Sequence, residues 1–129
     1  MTKKWMAVLA LGLLVPSAFG ETAAAVNPMT AVATHTLRSE IKRDKGDMTG
    51  KTKAFRAERK ELLVQEKAEL VKITASKGDR AQKKAARSAV HAKYAQLIKD
   101  ARAKAGLQRK NLRDDMTSKR GQIKKLRQS

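Results

Sequence analysis

Apolar side chains recur along the last third of the chain at a fixed interval. Val90, Ala101, Leu112 and Ile123 stand eleven residues apart, and Tyr94, Ala105 and Met116 follow the same interval one turn on. Eleven residues in three turns give about 3.67 residues per turn, so this pattern predicts a long helix whose apolar face stays nearly straight or coils slightly to the right. Upstream, Leu63, Leu70 and Ile73, with Phe55 and Leu62 beside them, give a broader apolar stripe over Lys51–Ala75. Ala33, Leu37 and Ile41 recur at four-residue spacing before that. No segment alternates with period two. The expected class is all-α.

Local signals divide these patterns into elements. Asn27-Pro28 is a helix start, with Asn as cap and Pro at the first helical position. Gly46 reads as a stop, so the first helix is expected near 28–45, with Gly46–Gly50 as a linker and a second helix over 51–75. Ser76-Lys77-Gly78-Asp79 reads as a tight turn, in which Gly78 takes the left-handed conformation and Asp79 with Gln82 forms a capping box. So short a connection makes its flanking helices antiparallel neighbours. The last helix is expected over 79–117 or longer. The whole is an extended αα-hairpin, close to a coiled coil, with a shorter helix in front. If the hairpin folds symmetrically about Lys77-Gly78, position i faces about 155 − i and Lys51, the start of the second helix, lies opposite residue 104. Gly106 then becomes a candidate hinge between a supported and an overhanging half.

The first twenty residues belong to a different grammar. Lys3 and Lys4 precede an apolar run from Met6 to Val15, broken by Pro16 and followed by Ala18-Phe19-Gly20. This is the order of an export signal, with cleavage expected before Glu21 and residues 21–27 left as a flexible leader. The run is too short to span the ~30 Å hydrocarbon core, which takes roughly 20 residues. No later segment is apolar enough, so a mature chain without a membrane span is expected in the periplasm or secreted. It would carry no disulfide, because the sequence has no cysteine. It holds 18 residues of Leu, Ile, Val and Phe, few enough that order is expected to draw on helix packing, a partner, or assembly into a homo-oligomer.

Composition excludes most chemistry. The two histidines, His35 and His91, lie far apart and neither has a second ligand at metal spacing. Met29, Met48 and Met116 read as packing residues. Asp114-Asp115 is the one adjacent acid pair, in a basic stretch where local pairing is the simpler role. There is no phosphate loop, nucleophile elbow or dinucleotide fingerprint. The expectation is a protein that is not an enzyme and takes no cofactor and no metal.

Charge is what remains. The chain has 30 basic and 12 acidic residues, a net +18. Residues 76–129 alone carry 17 basic and 4 acidic side chains, against 7 and 4 in 51–75. On the last helix Lys84, Lys99, Arg102, Lys110, Arg113, Arg120 and Lys124 lie away from Val90, Ala101 and Leu112, forming a candidate partner-binding ridge. Three acid–base pairs, Asp79–Lys83, Asp100–Lys104 and Asp115–Lys119, have the favourable i,i+4 order. Such an excess exceeds the magnitude of ~2–8 that solubility asks of a small domain and implies anionic partners. In the envelope these are acidic or unfolded proteins, lipopolysaccharide, wall polymers or extracellular nucleic acid. The lack of aromatic platforms speaks against base stacking.

Two short sequences carry a family resemblance. Met48-Thr49-Gly50-Lys51-Thr52 and Met116-Thr117-Ser118-Lys119-Arg120 are each followed by an apolar residue seven positions after the Met, Phe55 and Ile123. In this the chain resembles the Spy/CpxP group of small helical periplasmic chaperones, whose Leu-Thr-x-x-Gln motifs each open a helix. Met stands here in place of Leu, and the Gln is missing from both sites. The resemblance implies a cysteine-free all-α protein that holds unfolding clients on a basic surface without ATP. The chain also resembles the Skp group in being basic and hairpin-forming, but has no strand segments for that group's trimerising body. The leading expectation is a chaperone-like or envelope stress-protective binding protein. The alternative is a structural protein that binds polyanions.

Overall fold

The computed structural model describes residues 27–129; the expected export signal and leader, residues 1–26, lie outside that range. The chain forms two helices, α1 (Pro28–Ala75) and α2 (Arg80–Gln128), packed side by side as an antiparallel hairpin. At 1.5 Å per residue the rod is about 70 Å long.

The ends form largely as the local chemistry dictates. The Asn27 side chain accepts from the Met29 N–H at 3.0 Å, with Pro28 at the first position. Asp79 and Gln82 close a reciprocal capping box, in which the Asp79 N–H donates to the Gln82 side chain at 3.4 Å. Gly78, however, is not left-handed: no glycine among the described residues has a positive φ. Helix α1 ends instead through Ser76, which is extended (φ −69°, ψ 149°) and returns both its N–H and its hydroxyl to the Ile73 carbonyl.

The break expected at Gly46–Gly50 is absent, and one helix runs from Pro28 to Ala75. Glycine costs a helix roughly 1 kcal/mol relative to alanine, a local penalty that tertiary packing overrides. Here Asp44 and Met48 bracket Gly46 and both pack against α2. Neither Gly46 nor Gly50 would bring a Cβ within 4 Å of another group. The Gly46→Ala, Gly50→Ala double variant should therefore be more stable, by about 1 kcal/mol per site, in a denaturant melt that leaves the helical signal unchanged.

Because α1 is continuous, α2 has no overhanging half. It passes through Gly106 as unbroken helix, and residues 28–54 of α1 support its C-terminal part. The register also differs from the symmetric estimate. Thr74 meets Arg87, Glu69 meets Tyr94 and Asp44 meets Lys119, so position i meets about 162 − i. Side chains lean toward the N-terminus of their own helix, which raises the sum of two touching residue numbers above that of two backbones at equal height.

The core is one layer thick. Ile41, Met116 and Ile123 form its main cluster, with Leu37 and Met48 against them. Tyr94, Ala101 and Ala105 are also buried, at the eleven-residue spacing seen in the sequence. Tyr94 donates its hydroxyl to Glu69 at 2.7 Å, and Lys93 donates to the same oxygen at 2.9 Å. The Tyr94 bond and then the Lys93 bond hold the Glu69 carboxyl below the usual carboxylate range. No helix of the described residues is long and apolar enough to cross a membrane.

Candidate functional site

The position of each charge around the rod derives from the eleven-residue period. On α2, one row holds Arg80, His91, Arg102, Arg113 and Lys124, about 100° from the buried line of Ala101. The adjacent row, closer to the interface, holds Arg87, Ile98, Arg109 and Arg120. On α1 the corresponding rows are Arg38, Thr49, Lys60 and Val71, then Lys45, Arg56 and Lys67. None of these rows contains an Asp or a Glu. Most acidic residues are elsewhere: Asp47, Glu58 and Glu69 share one row on the opposite flank of α1, Asp100 and Asp115 lie on the opposite flank of α2, and Glu61 and Asp114 lie on the backs of their helices; Glu66, in an interface row of α1, reaches His91 at 2.6 Å. The hairpin thus has one basic flank and one mixed flank.

Contacts place the basic rows of the two helices together. Arg56, Arg59 and Lys60 of α1 line one groove with Arg102 and Arg109 of α2, over Thr52, Phe55 and Leu63. A second concavity near the turn is lined by Gly78, Arg80, Lys83, Lys84 and Arg87. There Lys83 donates to the Thr74 carbonyl and Arg87 to the Thr74 hydroxyl, which ties the cations to the end of α1. On the mixed flank the charges neutralise one another. Lys119 Nζ is held by Asp44 at 2.7 Å, Asp115 at 2.8 Å and Glu40 at 3.5 Å. Of the three i,i+4 pairs expected, only Asp115–Lys119 is closed; Asp100 accepts instead from Gln96.

All seven residues of the expected ridge are exposed. They do not form one line. Arg102, Arg113 and Lys124 share a row turned toward the basic flank, with Arg120 nearer the interface and Lys84 in the concavity by the turn. Lys99 and Lys110 stand about 65° further round, on the back of α2. The contribution of Arg56, Arg59, Lys60 and Arg109 is not visible from charge counts. The 51–75 segment looks nearly balanced because its acids are summed with bases that face the other way. The signal that finds Arg56 and Lys60 is the pair of rows Lys45, Arg56, Lys67 and Arg38, Thr49, Lys60, both of which cross the expected linker and run unbroken only once α1 is continuous; Arg109 is found by the α2 row Arg87, Ile98, Arg109 and Arg120.

Catalytic geometry is not assembled among the described residues. His91 Nδ1 lies 2.6 Å from Glu66, a pair across the helices, and no group of three metal-ligating side chains comes together. Met48 and Met116 pack in the same apolar cluster, while Met29 is exposed. Both Met-Thr pairs lie inside helices, where Thr49 and Thr117 return their hydroxyls to the carbonyls of Lys45 and Arg113.

Comparison with known proteins gives no match to a family model, a curated protein or a solved structure.

Proposed function

We propose that the protein is an exported, non-enzymatic binding protein that docks anionic envelope polymers, such as lipopolysaccharide or wall polymers, along its basic flank. The observation that carries this reading is the absence of any carboxylate from four adjacent rows on two helices. Cations brought together without counter-charges repel one another by a few tenths of a kcal/mol per i,i+4 pair, and an anionic surface laid along the flank reverses the sign. A straight rod offers such a surface an extended line of contact. The export signal read over residues 1–20 supplies the compartment.

A second reading, a chaperone-like holder of acidic or unfolded proteins, draws on a different observation. Leu63, Val64 and Val71 are exposed beside the basic rows, at 36%, 60% and 66%. Apolar side chains among cations suit a partly unfolded acidic client, as the Spy/CpxP resemblance implies.

The test is a pull-down from envelope extract with the form beginning at Glu21, washed at low and then high salt. Glycolipid or wall polymer released at high salt is the expected result. Protein clients released in its place favour the second reading. Material that stays bound at high salt and leaves only with detergent overturns the electrostatic basis of both. The intact mass of the envelope form should correspond to residues 21–129, and a mass retaining Met1–Gly20 removes the compartment argument.

A further inference from the structure

Midway along the rod the basic flank closes into a groove of about 570 Å³. Its floor is Thr52, Phe55 and Leu63; its rim is Arg56, Arg59 and Lys60 from α1 with Arg102 and Arg109 from α2. Three features set it apart from a solvated row of charges. The five cations come from both helices, so the site exists only in the folded hairpin. None of the five is in an ion pair among the described residues, whereas Lys93 and Lys119 are, and the residues lining the groove include no acid. Arg109 is half-buried, and its Nε–H donates to the Ala105 carbonyl at 3.3 Å, which fixes the guanidinium at the rim.

Like charges crowded around one groove repel one another. The arrangement is balanced by an anion seated among them. Guanidinium groups match the oxygen geometry of phosphate through paired N–H donors. A single phosphate monoester brings a charge of about −1.5 to −2, well short of five cations. A condensed phosphate brings more charge in a span that one groove holds. The geometry points to this groove as a binding site for a condensed phosphate group, a diphosphate or longer, either free or carried on a lipid or polymer. The inference deepens the polyanion reading and rests on it only for the basic flank.

Isothermal titration of the purified protein with sodium tripolyphosphate, pyrophosphate and orthophosphate tests it. Tripolyphosphate should bind one per chain, and at least about tenfold more tightly than orthophosphate. Arg59→Gln with Arg109→Gln should weaken tripolyphosphate by about tenfold or more, with the helical signal unchanged. Lys99→Gln with Lys110→Gln, an equal change of charge on the back of α2, should weaken it less than about twofold. If the first pair lowers helicity, Arg56→Gln with Arg102→Gln, both exposed in the protein, carries the same expectation. Equal losses in the groove and back variants, or titration without saturation at one site, overturns the proposal.

Vesicles bearing a lipid diphosphate, compared with phosphatidylglycerol vesicles of equal charge, separate the sources. Preference for the diphosphate that is lost in the groove variant assigns the lipid-borne form; tripolyphosphate binding without that preference assigns the soluble one. Polymer released by salt from the envelope pull-down, without tripolyphosphate binding, removes the groove and leaves the flank. Tripolyphosphate binding without polymer does the reverse.

Discussion

Arg56→Gln, Lys60→Gln, Arg102→Gln and Arg113→Gln in one variant should weaken binding to a soluble polyanion by on the order of a hundredfold, and should flatten its salt dependence. Each lost phosphate contact removes nearly one unit from the slope of log affinity against log salt, because fewer condensed counterions are released. The four side chains are exposed and belong to the basic flank of both helices. Lys51, Lys99, Lys104 and Lys110 are exposed as well, but lie on the back of α2 or on the mixed flank. Changing those four to Gln alters net charge equally and should cost only a few-fold. The flank variant should also be slightly more helical, since repulsion between Arg56 and Lys60 is relieved. Titrations of both variants between about 50 and 200 mM salt check this. Equal losses would mean that the partner reads total charge and that no flank is selected.

That choice of residues depends on which parts of the structure are legible in the sequence. The eleven-residue rows of α2 are, because each buried position from Tyr94 to Ile123 is apolar or small except Lys119. The start at Asn27-Pro28 and the capping box at Asp79–Gln82 are legible as well, since each is made by residues within one turn of the other. The continuity of α1 is not. Gly46 and Gly50 announce a local preference, and the element that overrides it is α2, some seventy residues away, packing on Asp44 and Met48. The basic flank is lost with it, because rows that cross residue 46 cannot be drawn through a linker. Pairing of Asp79 with Lys83 fails for a related reason. Lys83 has a tertiary acceptor in the Thr74 carbonyl, and a surface pair worth a few tenths of a kcal/mol does not compete with it.

The one charge buried in the apolar rows defines the second large effect. Lys119 lies between Met116 and Ile123 of the main cluster, yet its ammonium is fully engaged by Asp44, Asp115 and Glu40. Lys119→Met should lower the melting temperature by on the order of 10 °C, because it leaves Asp44, only 4% exposed, as a buried carboxylate without its cation. Hydrogen bonds to Asp115 and Asp44 raise the Lys119 pKa above its ordinary 10.5. A folded-state value above the unfolded one means the contribution is complete below the unfolded pKa and disappears as pH rises through the folded one. The gap between wild type and Lys119→Met should therefore stay constant between about pH 6 and 9 and narrow only in strong base. Replacing both residues, Asp44→Leu with Lys119→Leu, should restore most of the melting temperature, since a well-packed apolar pair often equals a buried ion pair in stability. Register is the property it should not restore. With Leu at both sites, neighbouring registers of the apolar rows become closer in energy, whereas in the wild type any slip strands a charge. Spin labels at Arg38 and Lys124, both exposed, should give one narrow distance in the wild type and a broadened distribution in the double-Leu variant. A narrow distribution in both would show that the turn and the remaining core set the register unaided, and that Lys119 is a tolerated charge with no part in specifying the fold.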